Sequence, residues 1–303
     1  MNSSPQIQDA DLERIIKSTL NAIAPERASE LESYWTQYAP RIQLARDGAG
    51  AADVVMHAGM YRYLEFNHRT MRLFWLSSFI LWEGYLVADQ QAKGNVTDIT
   101  RFQELYHCHQ KTLNAKDMDA VPWPNGIPAP GELVDHTEDD SGRAAGELAV
   151  FSVAWAFLHE VRHLMHQQDG TSAAPEDPQA VRNEELSCDR FATEFLLADL
   201  EAYSEQSGYK LESLQMKRQT AVFGALFAMA LFGEGVWNES NTHPALQTRI
   251  EEAVAIMDGH GLSICAAAIG VSAFSTFNLM FPEAPNPLKI TSVSRAFDDR
   301  EQA

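Results

Sequence analysis

The chain is poor in cysteine and in basic residues. Its 303 residues include three cysteines, and 23 lysines and arginines stand against 42 aspartates and glutamates, which gives a formal net charge of −19. Three widely spaced cysteines without a CxxC pair argue against a disulfide framework and a thiolate zinc site, and they fit a reducing compartment. The excess of acids argues against a nucleic-acid partner, because phosphate binding needs clustered lysine and arginine.

The sequence also lacks a segment that directs it to a membrane. Residues 1–20 carry acids early and no apolar core of a signal peptide. The three most apolar runs, 73–82, 221–233 and 263–281, are too short to cross a bilayer or only mildly apolar, so we predict that they are buried core helices. We therefore expect a cytoplasmic protein without a membrane partner.

Sustained period-two alternation is missing as well, so few strands are expected. We predict a mainly α-helical, multi-helix fold with at most a small β edge. The expected helices cover 9–24, 28–38, two apolar helices within 51–92, 98–114, 142–170, 180–203, a helix around 221–233, one that opens at 243, and 263–281.

The run 121–142 interrupts the helical pattern. It holds four prolines and a cluster of acids, so it cannot be a helix and is predicted to be a loop or an edge strand. It connects a helical N-terminal region, 1–120, to a C-terminal region, 143–303. These two regions are either separate or parts of one compact domain.

Two histidines lie four residues apart in the string HEVRH of the predicted helix 142–170. Residues four apart share a helix face, so His159 and His163 could hold one zinc ion. Glu160 could take a proton from a water at the metal, as in the HExxH pattern of metallopeptidases. The alternative is a chance match, which a third ligand would make less convincing.

The next predicted helix offers that ligand. Glu185 and Asp189 are also four residues apart, so Glu185 could bind the metal while Asp189 accepts a hydrogen bond from the far nitrogen of a ligating histidine. Glu184 is the rival ligand, but its i+4 residue is Cys188, which cannot serve as that acceptor. The alternative interpretation is that these acids form a solvated helix face.

These motifs resemble the gluzincin arrangement, in which HExxH is followed on a later helix by a ligand glutamate and then an aspartate. The string DRFA at 189–192 and THPALQTRI at 242–250 resemble the CAAX-processing and heat-shock zinc proteases. The length of the chain and the position of HExxH near its middle resemble more closely the Lit-type phage-exclusion peptidases. The resemblance implies a zincin-like catalytic core with zinc as cofactor, bound by His159, His163 and Glu185, with Glu160 as general base and Asp189 supporting a histidine.

The resemblance further implies a role for His243 and a substrate. His243 would donate a hydrogen bond to the oxyanion of the tetrahedral intermediate. The alternative is structural: Thr242 caps a helix with Pro244 in its first turn. The implied substrate is an intracellular protein or peptide, a translation elongation factor in that family, in a phage-defence role. We also hypothesise that 121–142 flanks the cleft and binds the substrate backbone by strand addition.

Two other functions stay open at this stage. A di-iron bundle uses two Glu-x-x-His pairs and two further glutamates. That interpretation leaves His159 and the Glu185–Asp189 pair unused. A non-catalytic regulator could instead hold zinc as a structural clamp, for which the general base would be superfluous. The residues available to the di-iron site are Glu65 with His68, Glu104 with His107, Glu160 with His163, and Glu83 as a lone glutamate.

Overall fold

A computed structural model describes residues 9–45, 54–130, 132, 140–290 and 293–294. Within these residues the chain forms α-helices and one small sheet, which confirms the predicted mainly α fold. The helices are α1 Asp9–Ile23, α2 Ala28–Tyr38, α3 His68–Ala92, α4 Thr100–Asn114, α5 Asp140–Asp169, α6 Pro178–Leu197, α7 Leu200–Ser207, α8 Leu211–Ala230, α9 Glu234–Trp237, α10 Leu246–Gly259 and α11 Ile264–Met280. The strands are β1 Arg41–Leu44, β2 Met56–Ala58 and β3 Tyr63–Phe66.

Four helices form the centre of the core. Helices α3 and α8 each pack against α5 and α11, and against each other. The three apolar runs lie in α3, α8 and α11, where Leu76, Phe227 and Phe274 are fully buried, so their prediction as core helices is confirmed. A Cβ atom at Gly84 of α3 would lie 2.8 Å from the Cα of Ala273 in α11. The absence of a side chain at Gly84 therefore lets the two helices approach closely.

Helix α5 extends through this core and carries the HExxH motif. Among the described residues it is the one helix that could cross a membrane by length and composition, and 67% of its most apolar window is buried against the rest of the protein. It packs against α3, α6 and α8. Apolar residues on most sides of a helix are also typical of the buried centre of a large domain.

The small sheet has the order β1-β3-β2. β1 runs parallel to β3, and β2 runs antiparallel to it with Ala58 opposite Leu64. Two consecutive residues of the β2–β3 turn have positive φ, 62° for Tyr61 and 70° for Arg62. Glycine and asparagine are the usual residues at positive-φ positions of hairpin turns.

The pairing of β2 determines which of its backbone groups face outward. Gly59 N–H donates to the Tyr63 carbonyl, and Asn67 N–H donates to the Val55 carbonyl. Because the two orientations alternate along an antiparallel strand, Met56 and Ala58 direct their N–H and C=O groups away from β3. That side of β2 lies against α5.

Three predictions of local structure are wrong. The described part of 51–92 forms the β2–β3 hairpin and one long helix, not two helices, because the strands are short and the two positive-φ residues of their turn, Tyr61 and Arg62, are neither glycine nor asparagine. The predicted helix 180–203 is divided, since Asp199 adopts a left-handed φ of 60° between α6 and α7. Helix α10 begins at Leu246 with Ala245 at its N-cap, so Thr242 does not cap it.

The proline-rich run has no strand in its described residues, 121–130, 132 and 140–142, while 131 and 133–139 lie outside the described part. Residues 140–142 are the start of α5, so the prediction that no part of 121–142 is helical is wrong at its proline-free end. Trp75 Nε1 donates to the Pro128 carbonyl, which holds this run against α3. The strand that borders the cleft is β2. The division of the chain at 121–142 stays a prediction, and α3 packs against α5 across it.

Candidate active site

Packing of α5 against α6 brings the two sequence motifs together. The Nε2 atoms of His159 and His163 lie 3.2 Å apart. Glu185 straddles them, with Oε2 3.3 Å from His159 Nε2 and Oε1 3.2 Å from His163 Nε2. His159 and Glu185 are buried, and His163 is partly buried. The three residues predicted as ligands therefore converge.

The spacing of these donor atoms fits a tetrahedral metal site. Ligand atoms about 2.0–2.1 Å from a zinc ion lie roughly 3.3 Å from one another when the geometry is tetrahedral. Two imidazole nitrogens and a carboxylate at this separation also repel one another unless a cation or protons lie between them. The donor set thus has the chemistry and the dimensions that a divalent cation requires.

Each histidine is oriented by a carboxylate at its far nitrogen. His159 Nδ1 lies 2.9 Å from Asp189 Oδ1, and His163 Nδ1 lies 2.8 Å from Glu184 Oε1. An acceptor at Nδ1 favours the proton there and leaves the Nε2 lone pair to face the site. Asp189 thus lies where the sequence placed it, whereas Glu184 supports His163, a role that sequence reasoning missed.

A buried arginine extends the support of His159. Arg249 of α10 binds Asp189 with two hydrogen bonds, Nε to Oδ2 at 2.7 Å and Nη2 to Oδ1 at 2.6 Å. A bidentate guanidinium fixes the plane of the carboxylate as well as its position. Arg249 belongs to the string THPALQTRI, and this string was the signal that could have revealed its role.

Negative charge exceeds positive charge around the imidazoles. Burial opposes protonation of His159, but hydrogen bonds with Asp189 and Glu185 outweigh it and raise the pKa of the imidazole to about 10. Without a metal, a proton on His159 balances part of the charge of the carboxylates. A metal ion bound to this imidazole would displace that proton. Among the described residues, this cluster contains the guanidinium of Arg249 and four carboxylates, which belong to Glu160, Glu184, Glu185 and Asp189.

Glu160 lies beside the ligand group and is bound by a strand. Its Oε2 accepts a hydrogen bond from the backbone N–H of Ala58 at 2.7 Å. Burial raises the pKa of Glu160, and the neighbouring imidazoles only partly offset this. A carboxylate with a raised pKa is a better proton acceptor at neutral pH than an ordinary glutamate.

Cys188 is a second candidate for the third ligand. Its Sγ and one nitrogen of each imidazole all lie within 4.8 Å of one another. Burial raises the pKa of the Cys188 thiol, and the negative charge of Glu185 raises it further. Glu185 has one oxygen within 3.2–3.3 Å of each Nε2 atom. Burial opposes ionisation of Glu185, but the two imidazoles lower its pKa, so a charged carboxylate fits the ligand position better than a thiol with a raised pKa.

A cleft of about 480 Å³ opens onto these residues. His243 lies at its rim with its side chain 55% exposed, and its Nε2 is 3.8 Å from Glu185 Oε1. Thr242 Oγ1 is 2.8 Å from His243 Nδ1, and burial lowers the pKa of His243. Part of the cleft wall is apolar and is formed by Phe74, Trp155, Ala156, Met229, Phe232 and Val236.

The other Glu-x-x-His pairs do not join this group. Glu104 and His107 are exposed on α4. Glu65 of β3 faces His57, with Oε2 3.4 Å from Nε2. Across the described residues, the group of ligand-type side chains that could hold a metal lies at His159 and His163, with Cys188 beside them, and includes neither of these other pairs. The geometry gives the di-iron interpretation no support.

Comparisons with known proteins agree on one family. Residues 64–269 match the profile of the family described as Peptidase U49. The cell death peptidase of Escherichia coli (strain K12) is 27% identical over 152 residues, which cover 50% of this chain and 46% of that protein. The match thus spans less than half the length of this curated relative. No solved structure matches the chain.

Proposed function

The chain belongs to the peptidase U49 family, and from that premise we propose that it is a zinc metallopeptidase whose metal is bound by His159, His163 and Glu185. The family match confirms the predicted peptidase and its resemblance to Lit-type peptidases at the family level, and the type of metal is our proposal. One observation carries it: on two helices, the Nε2 atoms of the two histidines lie 3.2 Å apart, and each lies 3.2–3.3 Å from one oxygen of Glu185. That spacing supports one tetrahedral cation with an open position.

Each residue of the proposed site has a separate role in peptide hydrolysis. A zinc ion, when bound, supplies Lewis-acid polarisation of the scissile carbonyl and a lower pKa for water. Glu160 takes the proton of the attacking water and passes it to the leaving amine. Thr242, by donating its hydroxyl to Nδ1 of His243, leaves the imidazole proton on Nε2, from which His243 donates to the oxyanion. Burial favours the neutral imidazole that this role needs.

The shape of the cleft suggests the kind of peptide that it accepts. Its apolar wall, which includes Met229 and Phe232, lies in the same cleft as the proposed ligands. We therefore expect an apolar side chain next to the scissile bond, because burial in such a pocket stabilises the complex by roughly 1.5–3 kcal/mol for a Val, Leu, Ile, Phe or Met side chain. Cleavage of a proteome-derived peptide mixture reads out this preference directly.

The biological target is a further part of the proposal. The resemblance to Lit-type peptidases supports an intracellular protein substrate, a translation elongation factor, and a cytoplasmic role in phage defence. The related Escherichia coli protein is named a cell death peptidase. A formal net charge of −19 agrees with a protein substrate rather than a nucleic acid or an anionic membrane surface.

Metal content and cleavage test the proposal together. Wild-type protein is expected to bind one zinc per chain, and His159→Ala none. Glu160→Gln should retain zinc and lose cleavage of a purified elongation factor and of cell lysate. Cys188→Ser is the matched control for the ligand set and should retain both zinc and cleavage.

Other results would favour the alternatives. Two irons per chain with visible absorption would indicate a di-iron site. A biological activity that persists unchanged in Glu160→Gln, without cleavage by wild type, would favour the non-catalytic regulator. Loss of zinc in Cys188→Ser but not in Glu185→Gln would replace the carboxylate by the thiol as third ligand.

A further inference from the structure

We propose that the backbone N–H of Ala58 is a positioning group for Glu160, so that edge strand β2 sets the orientation of the general base. The inference rests on the proposed function, in which Glu160 accepts the proton. It adds a part of the machinery that no side-chain motif can reveal, because the group that acts is a main-chain amide.

The geometry of β2 and α5 carries the inference. Ala58 directs its N–H and C=O away from β3, and both are taken by α5: Oε2 of Glu160 accepts from the N–H at 2.7 Å, and Nε2 of Gln167 donates to the carbonyl at 3.2 Å. Residues 160 and 167 are two helical turns apart and therefore lie on one face of α5. One residue of the strand is thus held by two side chains of the HExxH helix.

The consequence for Glu160 is a restricted side chain. A free glutamate side chain has several accessible rotamers, and ordering it costs up to about 2 kcal/mol. A charge-assisted hydrogen bond to one carboxylate oxygen opposes that cost and leaves the other oxygen, Oε1, to exchange protons. Since misplacement of a reacting group by about 1 Å can cost roughly a hundredfold in rate, this bond bears on kcat.

The same contact limits how a substrate can use the strand. A peptide that adds to the outer edge of β2 would need outward-facing backbone groups. Those of Ala58 are already bound to α5. Within the described residues, the outward groups of Met56 are the ones left for a substrate backbone, so β2 offers a short anchor while Ala58 serves the base.

Residue-resolved amide hydrogen exchange tests the contact without reference to activity. In wild-type protein the Ala58 amide should exchange at least tenfold more slowly than the outward-facing Met56 amide. Glu160→Ala should remove this protection, while Glu160→Gln should keep it because the amide side chain still offers an acceptor oxygen. Equal exchange of Ala58 in wild type and Glu160→Ala would overturn the proposal.

Kinetics then test the positioning role. Replacement of Ala58 by lactic acid converts the amide to an ester, which removes the N–H and makes the His57 carbonyl a weaker acceptor, and Ala58→Gly is the comparison variant that keeps the N–H. With the peptide that wild type cleaves fastest from a proteome-derived mixture, the ester should lower kcat about 10- to 100-fold at unchanged KM, zinc content and far-UV circular dichroism. An ester variant with wild-type kcat, or one that changes KM alone, would contradict the proposal.

The two hypotheses can fail separately. A zinc-loaded wild-type protein that cleaves neither peptides nor protein contradicts the proposed function, whatever the exchange rates are. Cleavage by wild type together with an unprotected Ala58 amide contradicts only the inference about β2.

Discussion

At the scale of single residues, the ligands are held by partners that lie further from the cleft. Asp189 orients His159 and is itself fixed by Arg249, while Glu184 orients His163 and also accepts the backbone N–H of Ala173. A hydrogen bond at the far nitrogen sets the tautomer and raises the basicity of the ligating nitrogen. The orientation of the proposed ligands therefore depends on residues outside the proposed ligand set.

Glu184→Gln tests this dependence. The substitution keeps the size of the side chain but removes its charge, so His163 should become a weaker ligand and zinc affinity should fall roughly 10- to 100-fold. Competition with a chromophoric chelator measures the change. Glu176→Gln, at an exposed position before α6, is the control, and an equal loss of affinity in both variants would argue against a specific role for Glu184.

A second residue-scale feature lies behind the cleft wall. His109 of α4 is fully buried, neither ring nitrogen has a hydrogen-bond partner, and its ring centroid is 6.1 Å from that of Phe232. Burial lowers the pKa of His109 from 6.5 to about 3. The unfolded chain therefore binds a proton at higher pH than the native protein does.

His109→Leu should stabilise the protein, and more so in acid. Removal of a buried polar group without partners should raise the free energy of unfolding by roughly 1–3 kcal/mol at pH 8. Because the unfolded chain takes up a proton at His109 below about pH 6.5 and the native protein does so only near pH 3, the free energy of unfolding of the wild type falls with pH over this range. The leucine variant lacks this loss, so at pH 5 its advantage over wild type should be about 2 kcal/mol larger than at pH 8. Urea unfolding at both pH values measures this.

The neighbouring His107→Leu variant is the control for that experiment, since His107 is exposed on the same helix. It should change stability little at either pH. A gain for His109→Leu that is identical at pH 8 and pH 5 would contradict the lowered pKa.

At the scale of elements, the long helices and the pair of motifs could be predicted, because residues four apart share a face whatever surrounds them. The hairpin could not: β2 and β3 have three and four residues, too few for alternation to register, and Tyr61-Arg62 is not a turn signal. Glu184 was misjudged because its partner is on another helix, His163, and not at its own i+4 position.

Gly84→Ala tests the contact between α3 and α11. The new Cβ would lie 2.8 Å from Ala273 Cα, a backbone atom that cannot move aside alone, so the helices must separate. We expect a loss of roughly 1–3 kcal/mol in the free energy of unfolding. Gly259→Ala is the matched control because a Cβ there meets nothing within 4 Å, and it should stabilise by about 0.4–1 kcal/mol.

At the scale of the whole molecule, charge couples the metal to stability. The formal net charge is −19, and several of the acidic residues are buried around the two imidazoles. A cation that binds the native state and not the unfolded chain stabilises the protein by mass action. Stability and metal content should therefore change together.

Removal of metal measures that coupling. At a free zinc concentration of about 100 times Kd the stabilisation is about 2.7 kcal/mol, so a chelator should lower Tm by roughly 4 °C in a chain of this length. Differential scanning calorimetry with and without chelator checks this. Glu185→Gln should show a much smaller response, and a full response in that variant would argue against its role as ligand.

The edge strand has a further consequence for the protein in a crowded solution. An open strand edge is a template on which other chains can assemble into aggregates, and proteins generally shorten or cover such edges. β2 has three residues, and Glu160 and Gln167 cover both outward groups of Ala58. The contact that orients Glu160 therefore also covers part of this edge, so we expect a change that frees the carboxylate to slow the chemistry and to expose a site for self-association.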